Sequence, residues 1–167
     1  LFQIVTNWKR KIVTSAGGRI LAERLLELGE TAVDHIVKEV IDRRPPAVFN
    51  TLVGESSYAF MRALHAAVAH AGLSIPMLSC SLCEPELAIV GPASAGCITS
   101  SAYFESIRLP ENRAFVARWK ARHGNDSSPS VDGQSAYVAV YLLARALQRA
   151  GTSDIGNGSK TIQSQIV

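Results

Sequence analysis

The sequence contains little of what usually supports a covalent framework or a membrane span. It has three cysteines in 167 residues, an odd number that does not describe a set of disulfides. No stretch of 18 residues is both apolar and uncharged, which excludes an ordinary transmembrane helix. The first residues show neither a basic region nor a cleavage site, so we expect a signal peptide to be absent or removed. Because the chain starts inside an apolar run without Met, we also expect an excised or truncated piece.

Positive charge is scarce in the middle of the chain. The formal net charge is +3, yet residues 45–107 contain one base, Arg62, against four glutamates. The remaining bases cluster on segments typical of solvated helix faces and helix ends, without interleaved aromatic residues. We therefore expect no direct nucleic-acid partner.

Apolar runs alternate with helical periodicity through most of the chain, and 47% of the residues are hydrophobic. This pattern predicts an α/β fold with a parallel sheet and helices on both faces, followed by two helices without strands of their own. The predicted strands are Leu1 to Thr6, Arg19 to Leu25, Ala47 to Val53, Ile75 to Ser79 and Ala95 to Ala102. The two late helices are predicted over Asn112 to His123 and Gln134 to Ala150.

The clearest unit is the stretch PPAVFNTLVGESSYAFMRALHAAVAHA, residues 45–71, which predicts a buried strand, a tight loop and a long helix. In an open α/β sheet, ligands bind at the carboxyl ends of strands, where helix N-termini offer unpaired N–H groups. Asn50 to Ser57 is therefore the first place to look for a site. The loop after the next strand adds small hydroxyls at Ser79 and Ser81 to the same predicted edge, which favours a polar, neutral ligand.

Several motifs allow other interpretations. Cys80 and Cys83 have the C-x-x-C spacing of dithiol oxidoreductases, which would require a reactive low-pKa thiol, whereas the simpler interpretation is two small side chains in a turn. Gly54 begins a partial G-x-S-x-G pattern that lacks its second glycine. Ser81 and Glu84 form an S-x-x-E capping box. No nucleotide or metal-ligand spacing is present, so we expect no catalytic residue, no metal, no cofactor and no enzymatic activity.

Four segments, in order, resemble a known family: VFNTLVGESSYAFMRAL, SCSLCEPELAIVGP, GCITSSAYFESIRLPENRAFVARWKARHG and SAYVAVYLLARALQRAG. They are similar to the type I periplasmic solute-binding proteins, in the amide, urea and branched-chain amino acid group, nearest to its amide-sensing and urea-binding branch. The likeness extends from Leu1 to about Gly151.

The resemblance implies a fold and a domain layout. Members of the family have two Rossmann-like lobes joined by three crossovers, and this chain is similar to the second lobe. Residues 1–102 would form a ligand-binding lobe, residues 103–151 a crossover and helices that normally pack on the first lobe, and residues 152–167 a loose tail. Helices without that partner would expose an apolar face, so the resemblance also predicts a homodimer of the fragment.

The resemblance also implies ligand-binding positions. Carried over by position, they are Thr51, Leu52, Val53, Gly54, Ser79, Ser81 and Tyr103. In relatives that bind amino acids, an acidic residue near the position of Ser81 receives the ligand's ammonium group. A serine there favours a small neutral amide or urea, with Glu84 as the one acid that would reverse this preference.

The function implied by the resemblance is binding of a small polar solute, such as a short amide, urea or a branched-chain amino acid. The chain would act in the periplasm as the substrate-binding component of an ABC transporter, with a membrane permease as its partner. The alternative is a cytoplasmic amide-sensing regulator, in which ligand-dependent closure controls a partner protein. The dithiol enzyme is the third hypothesis.

Overall fold

The computed structural model describes residues 10–151, and within them a sheet of three short strands carries the α/β architecture. The strands are β1 (Val48–Asn50), β2 (Met77–Ser79) and β3 (Ile98–Thr99), in the order β1-β2-β3. β1 and β2 are parallel, with Asn50 opposite Ser79 in the register. A parallel pair needs a crossover between its strands, and one long helix provides it here.

Helices account for most of the described chain. Residues 10–15 are helical, and the later helices are α1 (Asp34–Arg43), α2 (Gly54–His70), α3 (Glu84–Val90), α4 (Pro110–His123) and α5 (Val131–Ala150). A short 3₁₀ turn, Gly91–Ser94, follows α3. α2 is rich in alanine, leucine and other good helix formers. Its buried residues Ser57, Phe60, Met61 and Leu64 recur at helical spacing and form one face.

The described chain divides into two compact units. The first contains the residues up to Ser79 together with Pro92–Ile98, and the second contains Cys80–Gly91 together with the residues from Thr99 on. In the first unit α1 packs against α2, and the most deeply buried apolar side chains are Met61 and Leu64. Each such side chain stabilises the fold by about 1.5–3 kcal/mol. This packing fixes the start of α2 beside the end of β1.

The second unit is organised around Phe115 on α4. Its ring packs against Tyr103, Trp119 and Tyr137, at centroid distances of 6.2, 6.1 and 4.6 Å. Because Tyr137 lies on α5, this cluster joins the two late helices. Aromatic pairs in such tilted or edge-to-face geometry add to the stabilisation that burial provides.

The structure confirms the α/β class and corrects one strand. Three predicted strands are present, each shorter than predicted, and both late helices are present but begin at Pro110 and Val131. The strand predicted over Arg19 to Leu25 is wrong, because residues 18–27 carry no strand hydrogen bonds. A run of suitable residues forms a strand only where a neighbouring strand pairs with it. The strand predicted over Leu1 to Thr6 lies outside the described residues.

Candidate functional site

Two buried polar residues lie side by side at the carboxyl ends of β1 and β2. Asn50 and Ser79 are the last residues of their strands, pair in the register and are each 3% exposed. Burying a polar group costs free energy unless the group is hydrogen-bonded, so both side chains require hydrogen-bond partners. The pair marks the edge of the sheet at which the sequence predicts a site.

The amide of Asn50 is engaged at both of its ends. Its Oδ1 accepts a hydrogen bond from the backbone N–H of Leu52 at 3.0 Å, and its Nδ2 donates to Oγ of Ser57 at 2.9 Å. The first bond closes a local turn of the kind that asparagine side chains favour. The second reaches the first turns of α2. One side chain therefore connects the strand end, the loop and the helix.

The loop Thr51, Leu52 and Val53 leads directly into α2. Val53 precedes the helix in an extended conformation without a side-chain cap, and Gly54 has φ +58°. Only glycine adopts this left-handed conformation readily. The first N–H groups of any helix lack acceptors within the helix. In the residues that lead into this helix start, Thr51 and Leu52 are half-buried, and Val53 and Gly54 are exposed.

The charge around this loop is low. Between Thr51 and Ser57 the single ionisable side chain is Glu55, which is exposed in the first turn of α2. A negative charge at this end of a helix interacts favourably with the helix dipole and partly satisfies its need for an anion. The loop therefore offers hydrogen-bond donors without a basic side chain, an arrangement that suits the carbonyl oxygen of a neutral ligand.

The structure brings some predicted site residues together and places others in the second unit. Thr51, Leu52, Val53, Gly54 and Ser79 all lie at the carboxyl ends of β1 and β2 in the first unit. The other two, Ser81 and Tyr103, belong to the second unit. The role of all seven residues as ligand contacts stays a prediction.

Ser81 is half-buried and does not cap a helix. The residue that precedes α3 is Cys83, whose backbone N–H donates to Glu86 Oε2 at 2.9 Å. The capping box predicted from Ser81 and Glu84 is therefore shifted by two residues. The reason is that Pro85 fits the first turn of a helix, where its missing N–H costs nothing, so the helix starts at Glu84.

The thiols do not have the character of a redox centre. Cys83 is buried, and its Sγ–H donates to Glu86 Oε2 at 2.7 Å. Burial, together with the hydrogen bond to this carboxylate, raises the pKa of Cys83 to about 11. A thiolate, the reactive form, is thus strongly disfavoured at neutral pH. Cys80 is exposed and Cys97 half-buried, and all three cysteines are free.

Tyr103 is a packed residue with a hydrogen-bonded hydroxyl. It is 4% exposed, and its hydroxyl donates to Asn112 Oδ1 at 2.9 Å. Burial raises the pKa of Tyr103, and the nearby carboxylates of Glu105 and Glu84 add to the effect. The amide of Asn112 also donates to the carbonyl oxygens of Glu105 and Ile107, both at 2.9 Å. These bonds fix the segment between Tyr103 and α4.

Glu84 has one oxygen in use and one without a partner. Its Oε1 accepts the backbone N–H of Glu105 at 2.7 Å, whereas its Oε2 is buried without a hydrogen-bond partner among the described residues. The sequence singled out this acid as the residue that would favour an amino-acid ligand. Its half-buried carboxylate is held by the segment that follows Tyr103.

Sequence reasoning missed the two asparagines that organise these loops. The sequence pattern indicates Asn50 only as the first residue of a candidate region, and Asn112 only as the start of a helix. The available signal for Asn50 was a single polar residue at the end of an apolar run, directly before a short loop. Such a residue commonly makes local bonds to the backbone two residues later.

Two negative findings apply to residues 10–151. No group of three or more histidine, cysteine, aspartate or glutamate side chains is arranged to hold a metal ion there. None of the helices in that part of the chain combines the length and the apolar character needed to cross a membrane.

Comparisons with known proteins agree with this architecture. A family model described as periplasmic binding protein domain matches residues 3–167. The chain is similar to Leu/Ile/Val-binding protein homolog 6 of Brucella abortus, with 24% identity over 140 residues that cover 83% of this chain and 36% of that protein. The chain thus spans little more than a third of the length of this curated relative.

Two solved structures share the fold. A solute-binding protein of an R. palustris ABC transporter, in complex with benzoate, superposes with a TM-score of 0.79 and 22% identity over 91% of this chain and 41% of that one. A second R. palustris solute-binding protein, in complex with 4-hydroxybenzoate, gives a TM-score of 0.75 and 20% identity over 94% of this chain and 41% of that one.

The family model covers nearly the whole chain, and the fold matches that of solute-binding proteins. The predicted resemblance to type I periplasmic binding proteins is confirmed, and with it the prediction of a binding domain rather than an enzyme. The chain belongs to the periplasmic binding protein domain family.

Proposed function

We propose that this chain forms one wall of the solute site of a substrate-binding protein that serves an ABC transporter. The observation that supports the proposal best is the paired strand end, where Asn50 and Ser79 are buried side by side and Asn50 binds Ser57 in the first turns of α2. Ligands of open α/β sheets bind at such ends. The Brucella abortus relative and the two R. palustris structures are described as binding proteins.

The proposed ligand is a small polar solute with a carbonyl oxygen, and a short amide or urea is the first choice. The loop supplies backbone donors, while its one charged side chain, Glu55, is acidic and would oppose a second negative charge. The relatives' ligands, benzoate and branched-chain amino acids, carry carboxylates and are the competing choice. The Oε2 of Glu84, which is buried without a hydrogen-bond partner among the described residues, would favour a ligand with an ammonium group.

The proposed ligand contacts are the seven residues identified from the resemblance: Thr51, Leu52, Val53, Gly54, Ser79, Ser81 and Tyr103. The first five share one edge of the sheet and form the better-supported group. Tyr103 is the weakest member because its hydroxyl already donates to Asn112.

A thermal-shift series tests the proposal, with acetamide, urea, leucine and benzoate as probes. A ligand at 100 times its Kd should stabilise the folded protein by about 2.7 kcal/mol. Thr51→Trp should abolish the shift because its bulk fills the loop. The matched control is Ser74→Trp, in an exposed residue before β2 at the other end of the strand, which should keep the shift.

The outcomes separate the ligand classes. A shift with acetamide or urea that Thr51→Trp removes supports the proposal. A shift with leucine alone refutes the interpretation of Ser81 and points to Glu84. A shift that survives in Thr51→Trp means that the solute binds elsewhere. Because the chain spans about two fifths of its structural relatives, we expect weak affinity from this chain alone.

The transport role places the protein in the periplasm with a membrane permease as its partner. The second candidate is the cytoplasmic amide-sensing regulator, which the low charge of the loop also suits. Fractionation of cells that express the full-length protein distinguishes them, since recovery in the periplasmic fraction supports transport. Recovery in the cytoplasm with an amide-dependent protein partner would support the regulator.

The late helices provide a surface for a further partner. Val138, Tyr141 and Leu142 are exposed on one side of α5, and Val140 is exposed on the opposite side. We expect this apolar face to be covered, either by a second copy of the chain or by another part of the full-length protein. Light scattering tests the first arrangement. A dimer that Leu142→Glu converts to monomer supports it, and a monomer of the unaltered chain at high concentration contradicts it.

A further inference from the structure

We propose that Asn50 is a positioning residue for the solute loop, acting through the backbone of Leu52 rather than by contact with the solute. The proposal rests on the proposed function in one respect, that the loop of Thr51 to Val53 binds the solute. Asn50 is 3% exposed, so its side chain offers almost no surface to a ligand. Its effect must therefore pass through the groups that it binds.

The two bonds of Asn50 connect the end of β1 to the middle of the loop and to the first turns of α2. The Leu52 N–H is fixed by Oδ1 at 3.0 Å, and Nδ2 reaches Ser57 Oγ at 2.9 Å, one turn into α2. Ser57 is buried at 5% exposure, and its Oγ lies 3.9 Å from Sδ of Met61, which is fully buried. The loop is thereby anchored to the core of the helix while its own residues stay accessible.

This arrangement resolves a conflict between binding and order. A binding loop must expose its donors, yet each free side chain or backbone group that becomes ordered on binding costs affinity. A loop of three residues held by one buried amide has already lost that freedom in the unliganded protein. Asn50 thus preorganises the donors that follow it, including those at Gly54 and the start of α2.

Leu52 amide exchange tests the proposal directly, using hydrogen exchange measured by NMR on the full chain. Asn50→Leu removes both bonds and should speed exchange of the Leu52 amide about tenfold. The reason is that the net contribution of one intramolecular hydrogen bond corresponds to about a tenfold change in an opening equilibrium. Ser57→Ala removes only the anchor to α2 and should leave Leu52 within about threefold. Asn50→Asp retains the acceptor for Leu52 and should restore protection. Should Asn50→Leu prove insoluble, Asn50→Ala also lacks both polar groups and is expected to act in the same way.

Leu64→Ala is the matched control for a merely structural effect. Leu64 is 2% exposed on the buried face of α2, and its truncation destabilises the fold without removing a bond of Asn50. Affinity for acetamide, measured where every variant is folded, should fall about tenfold in Asn50→Leu and stay unchanged in Leu64→Ala. Rescue of acetamide binding by Asn50→Asp completes the prediction.

Three results have distinct meanings. Unchanged exchange at Leu52 in Asn50→Leu overturns the inference whatever the ligand. Faster exchange with an affinity loss no greater than in Leu64→Ala also overturns it, because the residue would then be only structural. If the unaltered chain binds none of acetamide, urea, leucine and benzoate, the proposed function fails, while exchange at Leu52 still decides whether Asn50 positions the loop.

Discussion

Replacement of Gly54 by alanine distinguishes a left-handed backbone conformation at this residue from a regular helical one. Gly54 has φ +58° at the first position of α2, and a Cβ added there would meet no atom within 4 Å. The cost of the substitution is therefore backbone strain without a steric clash. A left-handed conformation costs a residue other than glycine about 1–2 kcal/mol.

The sign of the effect is the diagnostic quantity. In a regular helical conformation, alanine would stabilise the helix relative to glycine by about 1 kcal/mol. In the observed conformation, Gly54→Ala should instead destabilise by about 1–2 kcal/mol. Gly54→Asn is the matched control, since asparagine tolerates positive φ, and should cost less than alanine. Gly54→Val should cost the most because its β-branched side chain is the least tolerant.

Urea denaturation followed by circular dichroism provides the measurement. The midpoint should fall in the order glycine, asparagine, alanine, valine, while the slope with urea stays constant. A loss of 1 kcal/mol corresponds to a decrease of about 2–4 °C in Tm for a chain of this size. If the Gly54→Ala variant is as stable as the unaltered chain or more stable, Gly54 is not left-handed. The conformation described for the start of α2 would then be wrong as well.

Further predictions concern the second unit. Because burial raises the pKa of Cys83 to about 11, iodoacetamide at neutral pH should modify exposed Cys80 and spare Cys83 in mass spectrometry, and equal rates would contradict this. For the same thiol, stability should fall as pH rises above about 8.5 toward 11, since the unfolded chain ionises first. Phe115→Ala should cost about 3–5 kcal/mol in urea denaturation, whereas a loss below 1 kcal/mol would contradict its central position in the aromatic cluster. Burial acts to raise the pKa of Glu105, but the hydrogen bonds from Lys120, at 2.7 Å, and Ser128 together with the positive charge of Lys120 outweigh it and lower the pKa; Lys120→Met should raise that pKa in an NMR titration, and no change would contradict the ion pair.

Local sequence patterns predict the part of the site that depends on residues close together in the chain. The apolar run before Asn50, the glycine at position 54 and the helix-forming stretch after it identify a strand, a loop and a helix without reference to any other segment. The parallel pairing of β1 with β2 followed from the alternation of strands and helices. These features are local or nearly so, and a single sequence is sufficient to reveal them.

Features that depend on distant partners were not accessible in the same way. Arg19 to Leu25 has residues suited to a strand but no strand beside it, and pairing cannot be read from the segment itself. The connection from Tyr103 to Asn112 spans nine residues and depends on the course of the intervening chain.

The network between Tyr103 and Asn112 has a mechanical consequence. Four hydrogen bonds connect Tyr103, Glu105, Ile107 and Asn112 with one another and with Glu84, which begins α3. A segment that is held by hydrogen bonds at both ends resists bending. We therefore expect α3 and the start of α4 to move together as one rigid body. A hinge in this unit must then lie outside residues 103–112 and also outside the aromatic cluster that joins α4 to α5.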